Sequence, residues 1–265
     1  MTDTEATADS RNSTAANAAS AAAGLRMVTA GTEHLLHTVA ALAPEAVAGP
    51  SALPGWSRGH VLTHLARNAD SLVNLLTGAR TGRDIPQYVS PEARDQGIED
   101  GAPRPVDVQL ADLRESAERF TEAAATLGDG DWSAEVRHRN GYVFPARDIT
   151  WKRLVEVEYH HVDLAAGYTP AHWPEGFARA EFQRLTAGLA GAAGLPGILL
   201  TADDTEDTAR IGDPDGEPGL TVEGPVRALT AWLSGRSDGD GLQVHRAGVQ
   251  LTDARTALPE LPPMG

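Results

Sequence analysis

Residues 55–78, GWSRGHVLTHLARNADSLVNLLTG, read as one amphipathic helix. Val61, Leu65, Leu72 and Leu76 recur at spacings of four and seven, which places them on one helical face. Ser57 stands where an N-cap belongs, its hydroxyl available to the unpaired amides of the first turn. Gly78 marks the end. His60 and His64 lie one turn apart. At about 100° per residue, His64 falls about 60° from Val61, on the flank of the apolar stripe. His60 falls about 100° away on the same side, closer to solvent. An i,i+4 histidine pair also arises by chance on helix surfaces, so the fold and the role of the pair depend on what the other helices bring to it.

Three further helices complete that bundle. Leu25, Val28, Leu35, Val39 and Leu42 predict a helix over 22–43. Leu110, Leu113, Ala117, Phe120, Ala124 and Leu127 predict one over 107–127, and Ile149, Val155, Tyr159, Val162 and Ala166 one over 146–166, with Gly167 as its stop. The connections are long, and 80–106, rich in Arg, Asp, Gly and Pro, reads as a loop. Asn140-Gly141 between short β-prone runs predicts a small hairpin. From residue 172 the pattern changes. A helix over 175–193 is followed by the short strands GILLTA, ARIG and LTVEG, by the helix PVRALTAWLSGR, and by an extended Pro-rich tail. The expected organisation is a disordered Ala/Ser/Thr-rich tail over 1–21, a four-helix bundle over 22–171 and a smaller α+β domain over 172–265. The fold class is mainly α with an α+β second domain.

The 265 residues carry a net charge of −15, which argues against nucleic acid and anionic membrane surfaces as partners. No apolar run is long enough to span a membrane, and the N-terminus lacks the basic and apolar regions of a secretory signal. The chain has no cysteine, so disulfides, thiolate metal sites and protein-borne thiol nucleophiles are excluded. That suits a cytoplasmic protein. The dinucleotide, phosphate-loop, nucleophile-elbow and H-E-x-x-H motifs are missing. GDPDGEPG has the composition of a calcium loop without its spacing and reads as a turn.

The chemistry concentrates on two helices. RLVEVEYHHVDL, residues 153–164, supplies Glu156, Glu158, His160, His161 and Asp163. Glu156 and His160 share a face at i,i+4, with Asp163 one turn further; Glu158 and His161 share another. One histidine from the first helix, His64 by its angle, with Glu156 and His160 makes a His2Glu set. Such a set holds zinc or another divalent ion and leaves a coordination position open. His60 and His161 read as surface residues or neighbours of the site. His34, His37, His138, His172 and His245 have no partner pattern.

The motifs LPGWSRGHVLTHLARNAD, IPQYVSPEARDQGIEDGA, VEVEYHHVDLAAGYTP and AWLSGR together resemble the mycothiol-dependent maleylpyruvate isomerase family, over about residues 22–262. The resemblance implies a DinB-like four-helix bundle followed by a smaller sterol-carrier-like α/β domain. It implies one divalent metal, usually zinc, on His64, Glu156 and His160. It also implies mycothiol as the thiol the protein cannot supply, a small anionic substrate, and isomerisation of maleylpyruvate to fumarylpyruvate in gentisate breakdown. Asp163 would orient a ligand or contact mycothiol, and Arg236 would pair with a substrate carboxylate. An alternative is a mycothiol S-transferase acting on electrophiles with the same metal site; another is a non-catalytic bundle protein. Oligomeric state and the other mycothiol-contacting residues are not legible.

Overall fold

The computed structural model describes residues 3–262, with side chains described from residue 13 onward. The chain divides into two compact units, Met1–Gly167 and Tyr168–Gly265, a boundary four residues earlier than expected.

The first unit is built on four helices: α1 (Asp3–Ala40), α2 (Arg58–Thr81), α4 (Val106–Ala125) and α5 (Asp148–Asp163). Helix α1 packs on α4 and α5, and α2 packs on the same two. The stripes read from the sequence bring Leu35, Val39, Val61, Leu65 and Leu113 into a common core; from α5 and its C-cap that core takes Val157 and Leu164, while the expected Val155 and Val162 are only half-buried. Ser57 caps α2 by accepting from the His60 amide, and Gly82, not Gly78, closes it in a left-handed conformation at φ 67°. A short hairpin, β1 (Glu135–Arg137) and β2 (Val143–Pro145), turns through Asn140-Gly141 as expected.

Three expectations are corrected here. The segment expected to be a disordered tail over 1–21 is helical from Asp3 onward. Alanine has the highest helix propensity, and a helix anchored at one end propagates at little cost per residue. Ala21 is fully buried, and Asn17 Nδ2 donates to Ser133 Oγ at 2.8 Å, so α1 docks before residue 22. The segment read as a loop over 80–106 contains α3 (Pro91–Gly101), opened by Ser90, whose hydroxyl accepts from the Ala93 amide. Glycine lets α3 end close against α2: a Cβ at Gly59 would collide with the Ala102 carbonyl. Helix α5 stops at Asp163, and Ala165, at φ 50°, makes the reversal assigned to Gly167.

The second unit packs α6 (Glu175–Leu189) and α7 (Val226–Leu233) on a five-stranded sheet of order β4-β3-β5-β6-β7. The strands are β3 (Ile198–Ala202), β4 (Thr208–Ile211), β5 (Leu220–Gly224), β6 (Gln243–Arg246) and β7 (Val249–Gln250). Strands β3 and β5 pair in parallel; the other pairings are antiparallel. Alternate residues of β3 and β5 are buried, so one face of the sheet makes the core with Phe182, Leu229 and Trp232. Helix α8 (Ala254–Ala257) precedes the extended tail. Among the described residues no helix is long and apolar enough to cross a membrane.

Candidate metal centre

Helices α2 and α5 converge at one end of their shared interface. There His64 Nε2 lies 2.9 Å from Glu156 Oε2 and 3.1 Å from His160 Nε2, and the last two atoms are 3.2 Å apart. His64 is buried, and Glu156 and His160 are half-buried. Bonds of about 2.0–2.2 Å from these atoms to one ion, at angles between about 90° and 110°, would set them about 3–3.5 Å apart, close to the observed spacing, so the donor set fits a divalent cation. Among the described residues no other group of three such side chains converges in this way. The i,i+4 pair on α5 and the inner-flank histidine of α2 are the residues singled out from the sequence.

The two histidines are backed differently. His160 Nδ1 donates to Asp163 Oδ2 at 2.9 Å, and the Asp163 carboxylate is buried. This bond fixes the imidazole so that Nε2 faces the cluster, as a carboxylate behind a metal-binding histidine does. His64 Nδ1 instead faces Arg94 Nη2 at 3.5 Å. Arg94 comes from α3, its guanidinium over the Tyr88 ring at 6.0 Å and ion-paired to Asp95 at 2.6 Å. The sequence reading missed Arg94 because its helix was taken for a loop; Ser90-Pro91-Glu92, an N-cap, a first-turn proline and a first-turn acid, was the available signal.

These surroundings set the charges. Burial pushes the His64 imidazole below its usual range, and the pull of Glu156 does not offset it; Arg94 and His160 push the same way as burial. Burial alone would raise Glu156, yet hydrogen bonds from His160 and His64 hold its carboxyl well below the usual range. Burial also works against charge on His160, but the carboxylates of Asp163 and Glu156 outweigh it and raise its pKa. Without an ion these directions favour a proton on His160 over one on His64, beside an ionised Glu156.

The remaining histidines have other duties. His60 is the third residue of α2, where its Nδ1 accepts from the Ser57 amide at 3.1 Å, completing a capping box; Nε2 lies 3.3 Å from Glu99. Trp56 stacks on the His60 ring at 6.1 Å and meets the His64 ring edge-on at 5.6 Å, walling the cluster. His161, expected at the surface or near the site, is 1% exposed and bonds Thr38 of α1 at 2.7 Å. Glu158 is equally buried, in space that Gly31 leaves open. His138 stacks on Tyr142, and burial with nearby Lys152 pushes it down to about 4. Arg236 lies in the second unit just beyond α7, where its Nη1 donates to the Ser234 carbonyl at 2.7 Å.

A four-helix unit with an inward His2Glu cluster, followed by a separate α/β unit, defines a class with known relatives. The family model described as the mycothiol maleylpyruvate isomerase N-terminal domain matches residues 28–165, and the chain belongs to that family. Two solved structures are similar over most of its length: a crystal structure of the mycothiol-dependent maleylpyruvate isomerase and one of a histidine-to-alanine mutant of it. They are 29% and 28% identical, each with a TM-score of 0.77, and each match covers 84% of this chain and 92% of that chain. No curated protein sequence matches.

Proposed function

We propose that this protein is a mycothiol-dependent cis–trans isomerase that converts maleylpyruvate to fumarylpyruvate, with a divalent ion, zinc in the first instance, held by His64, Glu156 and His160. The observation that carries this reading is the convergence of those three donors from two helices in a family member that has no cysteine of its own. The reaction needs a sulfur nucleophile that adds to the double bond, lets the resulting single bond rotate, and leaves again; no atom is gained or lost, and the thiol is regenerated. A divalent ion held there would supply positive charge to keep an incoming thiol as its thiolate at neutral pH.

The protein's residues do the rest by position. Asp163 fixes the His160 ring. The half-buried Glu156 adds one negative charge to two neutral imidazoles, so that with a divalent ion the site would keep a net positive charge suited to a thiolate. Trp56 shields one side of His64. Arg94 brings a cation beside the cluster, and Arg236 is the expected partner of a substrate carboxylate, for which its planar fork is suited.

The test is metal analysis of purified protein followed by assays with mycothiol. Isomerisation of maleylpyruvate that requires both mycothiol and the metal supports the reading. Conjugation of electrophiles to mycothiol with no isomerisation would replace it with the transferase reading. Arg236→Met should raise KM for the dicarboxylate with metal content unchanged; an unaltered KM would remove Arg236 from the scheme.

A further inference from the structure

Arg153 sits one turn before Glu156 on α5 but takes no part in the cluster. It is 1% exposed. Its Nη1 donates to the Leu65 carbonyl at 2.8 Å and to Asn68 Oδ1 at 2.9 Å, both neutral acceptors. No carboxylate among the described residues forms an ion pair with the guanidinium; Glu156, Tyr88 and Asp70 act on it through space. Burial pushes its pKa down to about 10. A buried charge without a counter-ion is costly, and buried charges in proteins are ordinarily paired.

Arg153 also lines a crevice of about 300 Å³ in the seam between α1 and α4. The walls are apolar: Val28, Leu36, Ala117 and Phe120. Thr32 lines the same crevice, and its Oγ1 is buried without a hydrogen-bond partner. A small crevice with apolar walls, lined by a guanidinium without an ion-pair partner and by an unpaired hydroxyl, has the composition of a small-molecule site. We propose that this crevice is a second ligand site, separate from the metal centre, that takes a monocarboxylic acid with an apolar body, its carboxylate on Arg153 and Thr32.

The rim narrows the class of ligand. Glu33, Glu118 and Glu122 are exposed at the mouth, with Arg114 the one cation among the rim residues. These charges are screened by salt and do not bar an anion bound deep inside. A second carboxylate pointing outward would meet them directly, so a dicarboxylate is disfavoured.

Benzoate is a suitable probe, with binding followed by calorimetry on the metal-loaded protein and on His64→Ala. Saturable one-site binding is expected in both, with phthalate at least tenfold weaker. Ala117→Leu fills the crevice while leaving Arg153 in place and should abolish binding. Thr32→Val should weaken it about tenfold, and Arg153→Met should abolish it; if Arg153→Met fails to fold, Ala117→Leu decides. Absence of saturable benzoate binding would overturn the proposal, leaving the crevice to water. So would binding that survives Ala117→Leu but disappears in His64→Ala, which would assign the carboxylate to the metal cluster.

Discussion

His64 and His160 present the same atom to the same point from two different helices, yet opposite charges stand behind them. His160 is backed by a buried carboxylate at 2.9 Å, His64 by a guanidinium at 3.5 Å. A carboxylate behind an imidazole makes it a stronger base and holds its proton, and a cation makes it weaker. Burial is the main cause of the lowered pKa of His64, and Arg94 adds to it, whereas the carboxylates of Asp163 and Glu156 overcome burial and raise that of His160. As candidate ligands the two are therefore unequal partners for an ion: His160 is oriented and more basic, with a proton competing for its nitrogen, while His64 is less basic. Arg94 adds a cost to bringing a cation next to His64, and the anionic Glu156 between the two rings offsets it.

The largest effect should come from breaking the set. His64→Ala removes one of three donors, and metal content should fall from about one ion per chain to near none after dialysis, with mycothiol-dependent turnover reduced more than about a hundredfold. Retention of the ion at wild-type occupancy would show that the three residues do not hold it.

Removing the backing charges should move affinity in opposite directions. Asp163→Asn keeps the shape of the side chain but loses the anion, and metal affinity should drop about 10–100-fold. Arg94→Met relieves His64 of the nearby cation and should leave affinity unchanged or raise it severalfold. Competition titrations with a chelating dye measure both. A loss of similar size in both variants would mean that the two histidines are not electrostatically distinct.

The proton on His160 gives the comparison a pH dependence. In metal-stripped protein His160 has a raised pKa, so the folded state binds that proton more tightly than the unfolded chain, whose value is about 6.5. This contribution to stability is complete below pH about 6.5 and is lost as pH rises through the raised value. An ion competes for the same nitrogen, so loading runs the other way: apparent affinity should fall about tenfold per pH unit below the His160 titration and level off above it. Calorimetry in buffers of different ionisation enthalpy should detect about one proton released per ion at the lower pH values. A pH-independent affinity would place the proton elsewhere.

What the sequence made legible follows from the period of the helix. Spacing of one turn on α5 put Glu156, His160 and Asp163 in line, and the angle from Val61 favoured His64 over His60. Arg94 was passed over because α3 was read as loop despite its Ser90-Pro91-Glu92 start, and its side chain meets His64 only through the packing of α3 on α2. His161 was misread because α5 is covered on two sides: the face bearing Glu158 and His161, polar in sequence, is buried against α1. In the second unit β6 and β7 were missed because they are short and turn through Ala247 and Gly248, both at positive φ, instead of an Asn-Gly pair. Arg153 was passed over for a related reason, since a charged residue within a helix reads as solvent-facing until its neighbours are known.

The smallest predicted effect concerns His60, the histidine that the sequence placed on the solvent side of the same helix. His60 lies one turn from His64 and stacks on the same tryptophan, but its Nδ1 is taken up by the Ser57 amide at the start of α2. His60→Ala should leave metal affinity within about twofold and lower stability by about 0.5–1 kcal/mol, the contribution of one side-chain cap. Ser57→Ala, which removes the reciprocal half of the box, should cost a similar amount, and the double variant should cost less than the sum because each half positions the other. Urea unfolding of the metal-stripped proteins measures this without interference from the ion. A large loss of metal in His60→Ala, with stability unchanged, would mean that the one-turn pair on α2 acts together at the metal centre.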